Sequence, residues 1–312
     1  MDFGPYVSAR MNALRLGARG SALSQAQAKL TAEALSPWAK IEMVVIKTTG
    51  DRLSAKGAPI TWKGDFTKEL DAALLAGEID FAVHSLKDVP SHLADGLALV
   101  AVPEREDPSD VLISRPRRRF RELPEGACIG TSSPRRRAQL LAARPDLLVL
   151  EARGNVDTRI RRLEEKRFDA LVLARAGLAR LGRLGEISDV FTADVLLPAV
   201  GQGALALVAR VDDTDVRSLL SRLDHAHSHQ EVLAERGLLA RLEAGCRAPV
   251  AARARVSGGL LDLTAGVFSP DGARSLREHA SGSALEAEGI GRAVAERLLE
   301  RGAAALISEG KK

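Results

Sequence analysis

Two proline- and glycine-marked segments, 103–108 and 197–203, bracket a single block of alternating strand and helix patterns. Pro103-Glu104-Arg105-Glu106-Asp107-Pro108 is charged and closed by proline at both ends, as a linker is. Leu197-Pro198-Ala199-Val200-Gly201-Gln202-Gly203 is a second crossing. Two crossings around one block describe an inserted domain, after which the chain returns to its first sheet through 204–208. Gly201-Gln202-Gly203 is no dinucleotide fingerprint, because a strand pattern follows it instead of a helix.

The first two-thirds of the chain read as α/β with largely parallel sheets. Strands are expected at 14–17, 41–48, 79–83 and 97–102, with helices at 24–36 and 66–76. The inserted block carries strands at 111–114, 128–130, 147–150 and 170–174, and helices from about Ser133 and Asn155. After Asp224 the texture changes to α+β. A helix over 230–242 precedes a hairpin, 250–256 with 260–267, and a last helix over 287–300. Three domains follow: 1–103 with 201–223, the inserted 104–200, and 224–312. Residues 1–11 read as a flexible extension of the first.

Three strand-to-helix junctions carry arginine. Thr131-Ser132-Ser133-Pro134-Arg135-Arg136-Arg137 puts an N-cap serine and an N1 proline before three arginines. That is the wrong helix end for cations, since the macrodipole is already positive there. A bound anion relieves the repulsion most simply. Arg153-Gly154-Asn155-Val156-Asp157-Thr158-Arg159 and Arg19-Gly20-Ser21-Ala22-Leu23-Ser24 repeat the arrangement. In open α/β sheets ligands bind at this edge. One such junction alone is ordinarily a capped helix beside a solvated arginine.

A fourth strand ends in Val83-His84-Ser85-Leu86-Lys87-Asp88-Val89-Pro90, which sends Ser85, Lys87 and Asp88 to the same edge. Nearby cations favour an ionised Asp88, and a carboxylate in a cationic cleft stabilises a transient cation or shuttles a proton. Cys246 sits beside Arg247 in the loop Leu242-Glu243-Ala244-Gly245-Cys246-Arg247-Ala248-Pro249. It reads either as an activated nucleophile or as a half-buried structural thiol. Cys128, in an apolar strand, reads as buried.

Other classes fare worse. Aromatic residues are 3% of the chain and the net charge is +4, which argues against nucleic acid bound through 115–121 and 135–137. The 115–121 run reads as solvated surface. His225, His227 and His229 fit a polar helix start better than a metal site, and no metal is expected. No apolar run reaches membrane-spanning length and no signal pattern opens the chain, so a cytoplasmic location is expected, with no membrane partner. A non-catalytic anion-binding protein would use the same arginines, yet would need neither Asp88 nor Cys246.

Taken together, these motifs resemble those of the hydroxymethylbilane synthase family, also called porphobilinogen deaminases. The resemblance spans about 14–305. It rests on Val83–Pro90, on Gly130-Thr131-Ser132-Ser133 with the arginines after it, on Arg153-Gly154-Asn155-Val156, on 197–203 and on the 242–249 loop. It implies two periplasmic-binding-protein-like α/β domains with a cleft between them, plus a small α+β domain carrying the cofactor cysteine. It implies a dipyrromethane cofactor in thioether linkage to Cys246. Four porphobilinogen molecules add head to tail, each losing ammonia, and hydroxymethylbilane is released hydrolytically.

Residue by residue, the resemblance makes Asp88 the catalytic carboxylate. It assigns Cys246, Lys87, Ser85, Thr131, Ser132, Ser133, Arg135, Arg136, Arg153 and Gly154, with Asp88, to the cofactor. Arg19, Ser21, Gln27, Lys63, Phe66, Arg159, Arg180 and Gln202 fall to the substrate. Each pyrrole bears an acetate and a propionate, so a growing chain accumulates the carboxylates such cations bind. A monomer that passes its product to the next tetrapyrrole enzyme is implied as well. The chain departs from the family pattern at Trp62 and Asp65, in a segment that is a lid in relatives, and at Ala244, where a glycine is usual. Arg137 also stands where relatives are often uncharged.

Overall fold

A computed structural model describes residues 13–49, 66–244 and 248–310. The first sheet has the order β2-β1-β3-β10-β4, built from β1 (Leu14–Arg19), β2 (Ile41–Ile46), β3 (Phe81–Ser85), β4 (Leu97–Ala101) and β10 (Leu205–Arg210). The second has the order β7-β6-β8-β5-β9, from β5 (Asp110–Ser114), β6 (Cys128–Gly130), β7 (Leu148–Leu150), β8 (Ala170–Ala174) and β9 (Asp189–Val190). Helices α1 (Ala22–Leu35), α2 (Lys68–Leu75) and α6 (Thr214–Leu220) accompany the first sheet. Helices α3 (Pro134–Ala143), α4 (Val156–Glu164) and α5 (Arg175–Arg180) accompany the second.

Neither sheet is as parallel as the sequence suggests. β10 runs antiparallel to both of its neighbours, and so does β5. The reason is where these strands start. β1, β3, β6, β7 and β8 run towards the edge that carries the arginine junctions. β5 and β10 each follow a crossing segment at that edge, so they must run away from it. The residues that return the chain to its first sheet thereby bring the two cleft-facing edges together.

The last sheet is antiparallel, β11 (Val250–Ser257), β12 (Leu260–Phe268) and β13 (Ser275–Ser283). Gly258 and Gly259, both at positive φ (58° and 80°), make the two-residue turn of its first hairpin. Helices α7 (Ala226–Arg241), α8 (Ala287–Glu300) and α9 (Ala303–Glu309) complete this unit, with Leu238, Leu263, Val294 and Leu298 in its core. β13 and α9 go beyond the expected hairpin and single last helix. Ser275–Ser283 is mostly polar, so it has no apolar alternation to read, and only Leu276 and Ala280 pack on the core.

Candidate active site

The strand ends of the two large sheets face one another across a cleft of about 670 Å³. One wall comes from β1 and β3. Arg19 closes β1, its backbone N–H donates to Ser24 Oγ at 2.9 Å, and Ser21 caps α1 by accepting from the Ser24 N–H at 3.3 Å. β3 ends at Ser85 and turns at once through the 3-10 segment Leu86–Asp88. Leu86 and Val89 are buried, and the Leu86 N–H donates to the Ala204 carbonyl at 3.0 Å. Both sides of the turn are thus pinned, and Lys87 and Asp88 between them line the cleft.

The opposite wall is made of helix starts. Ser132, Ser133 and Pro134 open α3, and Gly154, Asn155 and Val156 open α4. With Ser21, Ala22 and Leu23 of α1, three helix N-termini border the same space. Their free N–H groups make it a place for anions. Gly154 adopts a φ of 104°, which a side chain rarely tolerates. Ser133 caps α3 as its sequence suggests, but Asn155 makes no side-chain capping bond on α4.

The arginines of α3 do not all point into the cleft. Arg135 Nη1 lies 2.7 Å from Asp110 Oδ2 and 2.6 Å from the Leu197 carbonyl. Arg136 sends Nε and Nη2 to Asp110 Oδ1, at 3.0 and 2.7 Å, and Nη1 to the Val172 carbonyl at 2.9 Å. Arg137 turns out to the Val149 carbonyl. The anion that first relieves this helix start is therefore internal. Asp110 is fully buried; burial alone would raise its pKa, but Arg135 and Arg136 hold it down at about 2. Arg135 and Arg136 still line the cleft, and Arg135 Nε has no hydrogen-bond partner among the described residues.

Arg159 Nε donates to the Gly154 carbonyl at 2.7 Å, and burial and then Arg136 lower its pKa to about 10 while Asp88 opposes them. Arg153 pairs with Glu151 at 2.8 Å. Lys87 is half-buried; burial lowers its pKa to about 8, against Asp88 and Asp110 and with help from Arg136 and Arg135. Arg19 lies 4.0 Å from the Phe66 ring centroid and 3.9 Å from Asp88 Oδ2.

Several of the expected site residues are bonded within the protein. Arg180 does not line the cleft; it spans to the Gly203 carbonyl at 2.5 Å. Gln202 is buried at the cleft wall, with its Nε2 2.9 Å from Asp110 Oδ1 and 2.7 Å from the Pro108 carbonyl. Gln27 is buried and donates to Ser85 Oγ at 2.8 Å, in a side pocket that also touches Arg19, Ser21, His84 and Asp88. Thr131 is buried, and its Oγ1 accepts from the Ser133 N–H at 3.3 Å. Cys128 is half-buried instead of buried, with its Sγ 3.9 Å from the Arg167 carbonyl. Lys63, Trp62, Asp65 and Cys246 lie outside the described residues, while Ala248, two residues past Cys246, lines the cleft.

Sequence reasoning missed two buried carboxylates. Asp110 opens β5, one residue ahead of the strand expected at Val111. Glu235 accepts from Arg105 Nη1 and Nη2 (2.8 and 3.1 Å), from the Gly201 N–H (2.6 Å) and from the Ala254 N–H (2.8 Å). It ties the two crossings to the last unit. Its signal was available, since 232, 235 and 239 share one face of α7 with Val232 and Leu239 buried.

Comparison with known proteins follows the same lines. The family model described as "Porphobilinogen deaminase, dipyromethane cofactor binding domain" matches residues 14–218, and "Porphobilinogen deaminase, C-terminal domain" matches 229–300. A porphobilinogen deaminase of Geobacter sulfurreducens is 47% identical over 96% of this chain and 95% of its own length. One from Syntrophomonas wolfei is 48% identical over 97% and 100%. One from Desulforudis audaxviator is 50% identical over 94% and 96%.

Proposed function

The chain belongs to the porphobilinogen deaminase family, and from that premise we propose how its cleft performs the reaction. Four porphobilinogen molecules are joined head to tail on a dipyrromethane held through Cys246, and the linear tetrapyrrole is released by hydrolysis. The observation that carries this reading is the position of Asp88. It is a partly exposed carboxylate on a turn pinned at both sides, in a cleft whose walls carry Arg19, Lys87, Arg136 and Arg159.

The residues present fit the cofactor. The cleft is large enough for several pyrrole rings, within the range of known ligand sites. Its donors suit acetates and propionates: helix N-termini, Ser132, Ser133, Arg153 and Arg135 Nε, which has no partner among the described residues. Ala248 and Val250 bring the segment after Cys246 to the same space. When bound, the cofactor supplies the pyrrole carbon at which the first substrate condenses.

The chain's own groups do the rest. Arg19, stacked on Phe66, and Ser21 hold the substrate's carboxylates beside Asp88, with Gln27 and Ser85 shaping the floor. In each condensation the substrate's aminomethyl C–N bond breaks and its electron pair leaves on ammonia. A C–C bond forms between that methylene carbon and a ring carbon of the growing chain, and the attacking ring carbon gives up its proton. The Asp88 carboxylate stabilises the positive pyrrole nitrogen and takes part in moving that proton. Arg135, Arg136, Arg153 and Arg159 hold the carboxylates of the growing chain, while Gln202, itself on the cleft wall, and Arg180 steady the 197–203 crossing.

Intact-mass measurement tests the reading. The chain made in porphobilinogen-producing cells should carry the mass of one dipyrromethane, and peptide mapping should place it on Cys246. An unmodified chain that also fails to gain this mass when incubated with porphobilinogen would overturn the reading. The same reading extends to a monomer working in the cytoplasm and passing its product to the next tetrapyrrole enzyme. A sedimentation mass of two chains would correct the first of these.

A further inference from the structure

Among the described residues Asp110 is the one fully buried carboxylate that touches two of the cleft's arginines, and nothing in the mechanism above uses it. Its two oxygens divide the work. Oδ2 takes Arg135, and Oδ1 takes Arg136 and Gln202. Arg136 also gives Nη1 to the Val172 carbonyl, so three bonds fix its orientation. Arg135 is only 4% exposed and keeps Nε without a partner among the described residues, beside the cleft. A buried unpartnered guanidinium N–H is costly unless an acceptor reaches it.

We propose that Asp110 is a positioning residue that presents Arg135 to a pyrrole carboxylate and sets the charge of the anion site. The inference rests on the tetrapyrrole reading of the cleft. Two guanidinium groups side by side in a buried place repel each other and would splay. One carboxylate between them fixes both and leaves one net positive charge in place of two. That is enough to bind an anion, and small enough to spare Lys87, which burial first and then Arg136 and Arg135 push towards neutrality while Asp88 and Asp110 oppose them. The Gln202 contact joins the same clamp to the 197–203 crossing, so the anion site and the chain's return to its first sheet share one carboxylate.

Two variants of the full chain separate charge from geometry. Asp110→Asn removes the charge and Asp110→Glu keeps it but displaces it. Two readouts are taken on chain produced without porphobilinogen. One is the rate at which added porphobilinogen gives the dipyrromethane mass; the other is the pH midpoint of Lys87 acylation, followed by peptide mass. Both variants should slow acquisition at least tenfold. Asp110→Asn should lower the Lys87 midpoint, and Asp110→Glu should leave it near the wild-type value; a purely structural role would not move it. An unchanged rate or an unchanged midpoint in Asp110→Asn overturns the proposal. If Asp110→Asn does not fold, Gln202→Met, which loosens the clamp without altering charge, should slow acquisition severalfold, and an unchanged rate there overturns it equally. Wild-type chain that never gains the mass indicts the functional reading instead, and the Lys87 midpoint still judges Asp110.

Discussion

Nη1 of Arg19 stands 3.9 Å from Oδ2 of Asp88. The distance is long for a hydrogen bond and short for a charge contact, so Asp88 keeps its lone pairs available for a substrate. Arg19 is held from its other side by the Phe66 ring. Asp88→Asn keeps the shape of the turn and removes the negative charge. Turnover should fall about 10²- to 10⁴-fold, the usual span for losing a group that moves a proton, with KM changed little. Ammonia release in a single turnover measures it; a near-normal rate would remove Asp88 from the chemistry.

Lys87 should give the reaction an alkaline limit. Its folded pKa is about 8, against an ordinary value of 10.5, chiefly through burial. Below pH 8 it is a cation beside the cleft; above, it is increasingly neutral. KM for porphobilinogen should therefore rise between pH 7 and 9.5, where Arg159 and Arg180, both at about 10, are still charged. Lys87→Arg should flatten that rise. The stability effect has the opposite sense: an unfolded chain keeps the Lys87 proton up to 10.5, so this group's penalty on folding is relieved as pH climbs from 8. A KM independent of pH in the wild type would show that Lys87 does not meet the substrate.

His84 sets the acid side of stability. It is buried beneath the side pocket, and burial and then Arg19 lower its pKa to about 4 from 6.5. The unfolded chain takes up the His84 proton as pH falls through 6.5, and the folded chain does not until about 4. Stability is therefore lost across that window, by on the order of 3 kcal/mol for a shift of this size. Asp110, held near 2, comes into play only at lower pH. Urea midpoints from pH 7 to 4 measure the loss, and His84→Gln should remove most of its slope. An equal slope in that variant would assign the loss to other groups.

What the sequence disclosed was mostly local. The Ser21 and Ser133 caps bond within three residues, so residue identity and spacing were enough to foresee them. The Lys87–Asp88 turn was legible because a buried strand pattern must end where charged residues begin. Asp110 was not, because its partners lie 25 and 26 residues away on an element whose direction no pattern fixes. The antiparallel course of β5 and β10 escaped for the same reason, since strand polarity depends on which edge the crossings occupy. Gly201 shows the limit from the other side. The motif reads as a turn, yet its φ of 71° also serves close packing: a Cβ there would overlap Leu86 and stand 3.2 Å from the Lys87 nitrogen.

Glu235 is where the crossings and the last unit depend on one another. It is fully buried and accepts from Arg105 on the first crossing, Gly201 on the second and Ala254 on β11. Glu235→Gln fits the same space but replaces one acceptor with an N–H₂ that must face another donor. It also strips Arg105, 4% exposed in its side chain, of its main counter-charge, leaving Glu231 at 3.2 Å. Breaking a buried pair from one side costs about 3–5 kcal/mol, so Tm should fall by on the order of 10 °C. Because the lost bonds lie on both crossings, limited proteolysis should cut 103–108 and 197–203 faster than in the wild type, before the core of either large sheet opens. Arg105→Met with Glu235→Gln should be less destabilised than the sum of the two single changes, since the second removes the charge the first leaves stranded. Additive losses would mean that the pair does not act as one joint and that the two crossings are held independently.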